Sequence, residues 1–339
     1  MKYRRLGATG LQISEIGFGC GNTAGLMTQG TAEQERTAVS RALDLGINYF
    51  DTAPNYGVRV GGVGVSERHL GQVLHELGAK PIIGTKVEFS GEELMDIPGT
   101  IRRSVEGSLS RLGTERTDIL YLHNRFSYQR TIREGSIGSQ LSVEDVLGAD
   151  GVAETFEELR DQGKVRFLAF CSTGGDPSAV HEVIASGRFQ CVQLSYNILN
   201  PSEGGPLPEG ADGPDYGDTI GHAVAQGMGV VVIRVLAGGA LSGNTEPHPL
   251  NEGSRHGRAE YAQVAGQARS LGFLTADGQQ TLAQAAVRFA LAHGGISCAL
   301  VGFGGVEQVD EAVQASELGG LSTADLGRIG AWYRSEERE

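Results

Sequence analysis

Short β-branched runs alternate with longer amphipathic segments eight times along this chain, and that rhythm constrains its fold more than any other feature. Residues 15–20, 47–50, 81–87, 118–122, 165–171, 190–195, 230–235 and 297–301 read as strands. Helical spacing of apolar residues follows each of them, over 32–45, 66–77, 97–112, 152–162, 176–186, 218–226, 281–293 and 306–316. Thr31 stands where an N-cap is expected, Pro98 and Pro177 fall in first turns, and Gly46, Gly78, Gly113 and Gly163 stop their helices. Strands of nearly continuous Val, Ile and Leu, each followed by a helix, indicate a parallel sheet covered on both faces. Eight such units favour closure into a (β/α)8 TIM barrel over an open doubly wound sheet.

A chain of 339 residues suits one barrel domain over 1–339, and no repeat or linker composition divides it. The segment 2–14, with Gly7 and Gly10 around Ala8 and Thr9, reads as a β-hairpin capping the barrel's bottom. Three long loops, 125–141, 200–217 and 242–257, follow strand C-termini, the face on which barrel enzymes bind substrate. The formal charge of −13 disfavours nucleic acid and anionic lipid as partners, and no run approaches the roughly 20 apolar residues of a membrane span. Four scattered cysteines form no Cys-x-x-Cys pair, so neither a disulfide framework nor a zinc site is expected. With no apolar run after the basic N-terminus, the expected location is the cytoplasm.

Three successive strands deliver ionisable groups to one end of such a barrel. Asp51 follows the second strand, with Tyr56 five residues on; Lys86 lies near the end of the third; His123 follows the fourth. Singly, Asp51 suits a turn cap, Lys86 a surface ion pair and His123 a satisfied core position. Together they suit carbonyl chemistry. Protonating a forming alkoxide requires an acid, and a phenol of pKa about 10 is too weak unless a nearby cation favours its ionised form. A carboxylate paired with the lysine would hold that cation in place.

The stretches GINYFDTAPNYG, IIGTKV and DILYLHNR resemble motifs of the aldo-keto reductase superfamily, and GKVRFLAF, VQLSYNILNP and LAGGALSG resemble its later signatures. The resemblance runs in order from YRRLGATGLQISEIGFG to VEQVDEAVQA, and it extends to the superfamily's sugar dehydrogenases through LGINYFDTAPNYG and GVSERHLGQVL. It implies a (β/α)8 barrel and a tetrad in which Tyr56 is the general acid/base. Lys86 would modulate its pKa, Asp51 would partner Lys86, and His123 would orient the substrate.

The resemblance also implies NADP or NAD lying across the barrel mouth, and here the sequence departs from the pattern. The glycines from Gly17 to Gly21 lack the G-x-G-x-x-G spacing. Cys171-Ser172 stands where relatives hold the carboxamide with a Ser-Asn pair, while Gln193 matches the glutamine under the nicotinamide. At the seventh strand's end Arg234 replaces a common aromatic and suits either stacking on the ring or a solvated strand end. Leu236 and Gly238 would run beside the pyrophosphate. The loop holding Gly302 and Gly304 carries none of the cations that NADP-preferring relatives place there, which favours NAD, whereas the family majority favours NADP. Gln308 and Glu311 match positions near the adenine. A small carbonyl or sugar would be the substrate, with Arg125, Phe126 and Tyr128 lining its pocket and Arg125 suited to an acidic group. Two other readings are a slow cofactor-binding redox sensor on the same fold and a Schiff-base enzyme using Lys86. The first would show tight cofactor retention without turnover, the second a borohydride-trapped adduct.

Overall fold

A computed structural model describes residues 1–132, 139–172, 174–211, 213–246 and 258–335, with the side chains of 258–260 left aside. Eight parallel strands close into a barrel, each followed by a helix that packs outside it. They are β1 (Ile16–Gly19), β2 (Tyr49–Asp51), β3 (Ile82–Val87), β4 (Thr117–Leu122), β5 (Val165–Ser172), β6 (Cys191–Ser195), β7 (Gly229–Ile233) and β8 (Cys298–Gly302). Their helices are α1 (Ala32–Asp44), α2 (Val65–Leu77), α3 (Ile97–Leu112), α4 (Val152–Asp161), α5 (Pro177–Ala185), α6 (Thr219–Ala225), α7 (Leu282–Ala292) and α8 (Val306–Leu318). Neighbours in sequence are neighbours in the sheet, and β8 pairs with β1 to close it.

The helix ends form where the local chemistry puts them. Thr31 and Gln34 make a reciprocal capping box at α1, Thr281 and Gln284 make one at α7, and Asp96 accepts from the Gly99 amide at α3. The chain from 2 to 14 forms the expected hairpin, Tyr3–Arg5 against Gln12–Ser14, and its Leu6 and Ile13 pack with Tyr49, Ile119, Tyr121 and Val231 inside the barrel. Gly7 there is required by contact: at φ +52° any Cβ would lie 2.3 Å from the Gly229 amide nitrogen.

Several boundaries differ from the sequence reading. Asp51 is the last residue of β2 rather than the first after it, and β7 stops at Ile233, leaving Arg234 outside. The stretch 125–141 is tied at its base by pairing of Phe126–Ser127 with Leu141–Ser142; residues 133–138 lie outside the described residues, as do 247–257 of the third loop. The helix Thr323–Tyr333 was not expected. Its Ile329, Trp332 and Tyr333 are buried, at a helical spacing that the sequence shows plainly.

The second long loop is cross-tied around Ser202. The Ser202 hydroxyl donates to the Pro214 carbonyl at 3.0 Å and accepts from the Tyr216 amide at 3.1 Å. Beside it Glu203 is fully buried, and neither carboxyl oxygen has a hydrogen-bond partner among the described residues. Burial lifts this carboxyl from 4.5 to about 8, the nearby Thr219 hydroxyl offsetting a smaller part. The folded chain therefore binds a proton that the unfolded chain releases, so Glu203 erodes stability progressively as pH rises from about 4.5 to about 8. Glu203→Gln is expected to remove that slope and to stabilise the protein above pH 8 by up to a few kcal/mol. Denaturant unfolding at pH 5.5 and 8.5 checks this: equal losses for both proteins between the two pH values would count against it.

Candidate active site

Inward-facing positions recur every second residue along each strand. In β2 they are Tyr49 and Asp51, in β3 Gly84 and Lys86, in β4 Ile119 and Tyr121, in β5 Cys171, and in β6 Cys191 and Gln193. Gly84 makes room for the two tyrosines, since a Cβ there would lie 2.8 Å from the Tyr49 oxygen. The last inward groups on β2, β3 and β4, and the loop residues continuing them, converge at the C-terminal mouth.

There Lys86 and Asp51 are almost wholly buried, with Lys86 Nζ donating to Asp51 Oδ2 at 2.5 Å and to the Thr52 carbonyl at 2.9 Å. The other carboxylate oxygen accepts from Gln193 Nε2 at 2.5 Å and from the Tyr49 hydroxyl at 3.1 Å. Tyr49 spends its proton on Asp51, so Tyr121, 3.0 Å away, donates to Tyr49. Cys171 completes the network by donating to Gln193 Oε1 at 3.3 Å. A buried charge pair costs solvation, and these five further hydrogen bonds offset part of that cost. Burial pulls Lys86 down, but Asp51 foremost, and Tyr56 and Cys171 with it, more than compensate, and the amine is held above its ordinary value. It is a permanent cation.

That cation lies 5.0 Å from the centre of the Tyr56 ring, and His123 packs edge-on to the same ring with centroids 5.9 Å apart. Burial raises the Tyr56 phenol, Lys86 lowers it, and Asp51 raises it, for a net position above the ordinary phenol. The sequence expectation of a lowered phenol is met only in the sign of the Lys86 contribution. Desolvation of the ring wins, and Tyr56 holds its proton as a donor. The four ionisable residues singled out from sequence therefore share one site.

Two residues that the sequence reading missed join them. Glu88 continues the inward alternation of Gly84 and Lys86 by one step, which was the available signal. Its carboxylate lies 3.1 Å from His123 Nδ1 and accepts a short hydrogen bond from Asn55 Nδ2. Some expected pocket residues fall elsewhere. Phe126 is buried in the core against Phe170, and Tyr128 is exposed beside Glu182.

The groups expected to meet a dinucleotide occupy the adjoining arc, β5 to β8, with Gly21 at the exit of β1. A Cβ on Gly21 would touch the Tyr56 ring at 3.5 Å, so this glycine borders the site. Ser172 ends β5 and is buried. Arg234 is exposed at φ +55°, its carbonyl accepting from Asn197 Nδ2 at 3.0 Å. Its charge and that of Arg125 both reach the Tyr216 phenol. Leu236 leads into a turn in which Gly238 and Gly239 sit at φ +72° and +104°. Gly302 ends β8, the Gly304 amide donates to Gln308 Oε1 at 2.7 Å, and Glu311 accepts from the Thr281 hydroxyl at 2.6 Å. Among the described residues no helix is long and apolar enough to cross a membrane.

With this geometry in place, comparison with known proteins is informative. The profile of the Aldo/keto reductase family matches residues 15–334. L-galactose dehydrogenase of Arabidopsis thaliana is 30% identical over 322 residues, 93% of this chain and 88% of that protein. L-glyceraldehyde 3-phosphate reductase of Escherichia coli is 27% identical over 97% of this chain and 91% of its own length. An aldo-keto reductase from Bacillus halodurans, solved in a holo form, superposes with a TM-score of 0.72 at 26% identity, each chain fully covered. The match to the family covers nearly every residue that builds the barrel and its mouth: the chain belongs to the aldo/keto reductase family and is an oxidoreductase of it.

Proposed function

We propose that the protein moves a hydride between NAD and a small polyhydroxy carbonyl or alcohol of the aldose class, with Tyr56 as general acid/base. One observation carries the reading: a protonated, half-buried phenol packs against both a fixed cation and a histidine at the mouth of the barrel. The nicotinamide would supply or accept the hydride. Tyr56 would protonate the forming alkoxide, or take up the hydroxyl proton in the reverse direction, and Lys86 would stabilise the phenolate left behind. Asp51 would hold Lys86, and His123 would meet the substrate oxygen. A polar wall of Glu88 and Asn55 suits a substrate rich in hydroxyls, as do the sugar and triose named in two of the relatives.

The residues present fit a dinucleotide on the β5–β8 arc. Ser195 Oγ, at the end of β6, is buried with no partner among the described residues, an open valence for a carboxamide. The 13-residue helix α8 begins at Gly305 with no side-chain cap, as an anion site requires. The charge around it favours NAD. Glu307, Asp310 and Glu311 crowd the first turns of α8, a Cβ on Gly305 would lie 3.1 Å from Glu307 Oε2, and Arg41 is committed to Asp310 at 2.6 Å. An extra phosphate would meet these carboxylates.

The test is absorbance at the reduced-nicotinamide band. DL-glyceraldehyde is offered with NADH or NADPH, and L-galactose with NAD or NADP. NAD is expected to be preferred by at least about tenfold in kcat/KM, 1.4 kcal/mol. Equal or better use of NADP would overturn the charge argument. Tight binding of either dinucleotide without any turnover would overturn the enzyme reading in favour of a sensor.

A further inference from the structure

Glu88 sits in the site without belonging to the tetrad, and its contacts dictate how His123 is protonated. Its Oε2 receives the Asn55 amide and lies 3.1 Å from His123 Nδ1. Were Nδ1 unprotonated, its lone pair would face a carboxylate lone pair at hydrogen-bond distance. Asn55 does not supply the missing proton, because its Nδ2 is 3.4 Å from Nδ1 and much closer to Glu88. The proton therefore sits on Nδ1, and the partner of one ring nitrogen fixes the state of the other. The neutral ring keeps a bare lone pair on Nε2.

We infer that Glu88 is a positioning residue that holds His123 in its Nδ1–H form, so that the neutral imidazole accepts a hydrogen bond from a substrate hydroxyl and can donate to a carbonyl only after taking up a second proton. The inference rests on the proposed oxidoreductase chemistry for its consequence, though not for the tautomer itself. An alcohol has an O–H to give to Nε2 and binds with no change of protonation. A carbonyl oxygen has only lone pairs, so a hydrogen bond to it from His123, beside the one from Tyr56, requires a proton taken from solvent. Among the described residues, the charged and titratable groups facing His123 are Glu88, just past β3, and Tyr56 after β2, with Lys86 on the Tyr56 ring and paired to Asp51. Tyr56, held above its ordinary value, and Lys86 keep their protons between pH 6 and 9, so neither supplies a competing step there.

The experiment uses the full chain and two variants, Glu88→Leu and Glu88→Gln. Long-range proton–nitrogen NMR of protein labelled with 15N-histidine reads the tautomer directly, with the resonance assigned by its loss in His123→Asn. The wild type and Glu88→Gln, whose side-chain oxygen still accepts, are expected to show Nδ1–H. Glu88→Leu is expected to shift to Nε2–H. Aldehyde reduction supplies the second readout: kcat/KM for DL-glyceraldehyde should fall with rising pH in the wild type and flatten in Glu88→Leu. An Nε2–H wild type, or a tautomer unchanged in Glu88→Leu, overturns the assignment of Glu88. A correct tautomer with identical pH profiles in the two proteins overturns its consequence for the substrate. Absence of turnover in the wild type would instead strike the proposed function and leave the NMR result standing.

Discussion

Replacing Tyr56 with Phe is expected to lower kcat by about 10²–10⁴-fold, the range that one positioned proton donor supplies, while dinucleotide affinity stays unchanged. The ring fills the same space against Lys86 and His123, and Gly21 still borders it, so only the proton is lost. Stopped-flow or steady-state absorbance gives the rate, and quenching of protein fluorescence by the bound dinucleotide gives the affinity. A parallel loss of both would mean that the substitution had deformed the mouth of the barrel. A variant as fast as the wild type would assign the proton to another group.

The second large effect is on stability. Asp51 and Lys86 are 2% and 1% exposed as side chains, and each neutralises the other with almost no help from solvent. Removing one leaves the other as an uncompensated buried charge, so Asp51→Leu and Lys86→Met are each expected to cost about 3–5 kcal/mol. The double substitution should cost much less than the two single losses together, because no bare charge remains. It still takes from Gln193 Nε2 and the Tyr49 hydroxyl their carboxylate acceptor and from the Thr52 carbonyl its lysine donor, which keeps it below the wild type. Denaturant titration of the four proteins closes the cycle. Additive losses would show that the pair is not coupled and that Asp51 serves Gln193 and Tyr49 alone.

Both effects depend on the same construction. A barrel strand alternates sides, so a site built at its end is supported from below by the inward residues of the same strands. Tyr49 under Asp51, Gly84 under Lys86 and Tyr121 under His123 are such supports. The strained backbone at Arg234 and Ala237, at φ +55° and +48°, belongs to the neighbouring arc, where the chain turns out of β7 and re-aims the segment toward the glycine pair that follows.

The sequence by itself determined the barrel, because strand and helix periods are local properties and eight repeats of them admit few packings. It pointed to the four ionisable residues too, since Asp51, Lys86 and His123 fall at or just past strand ends that the periodicity locates within two residues, and Tyr56 lies in the loop five residues after the first of them. Thr31 was legible as a cap for the same local reason, whereas Thr281, read as lying inside its helix, and Asp96 are caps that the structure adds. What the tertiary structure alone decided is the electrical state of those groups. Whether a lysine beside a phenol lowers its pKa depends on how dry the phenol is, and burial of Tyr56 outweighs the cation. Glu203 lies in a segment whose composition reads as exposed loop, yet α6 and the loop's own cross-ties seal it from water. Glu88 and His123 stand 35 positions apart, and the parallel register of β3 with β4 brings their ends together. Pairing across strands and exclusion of water are sums over distant residues, and no window of sequence contains them.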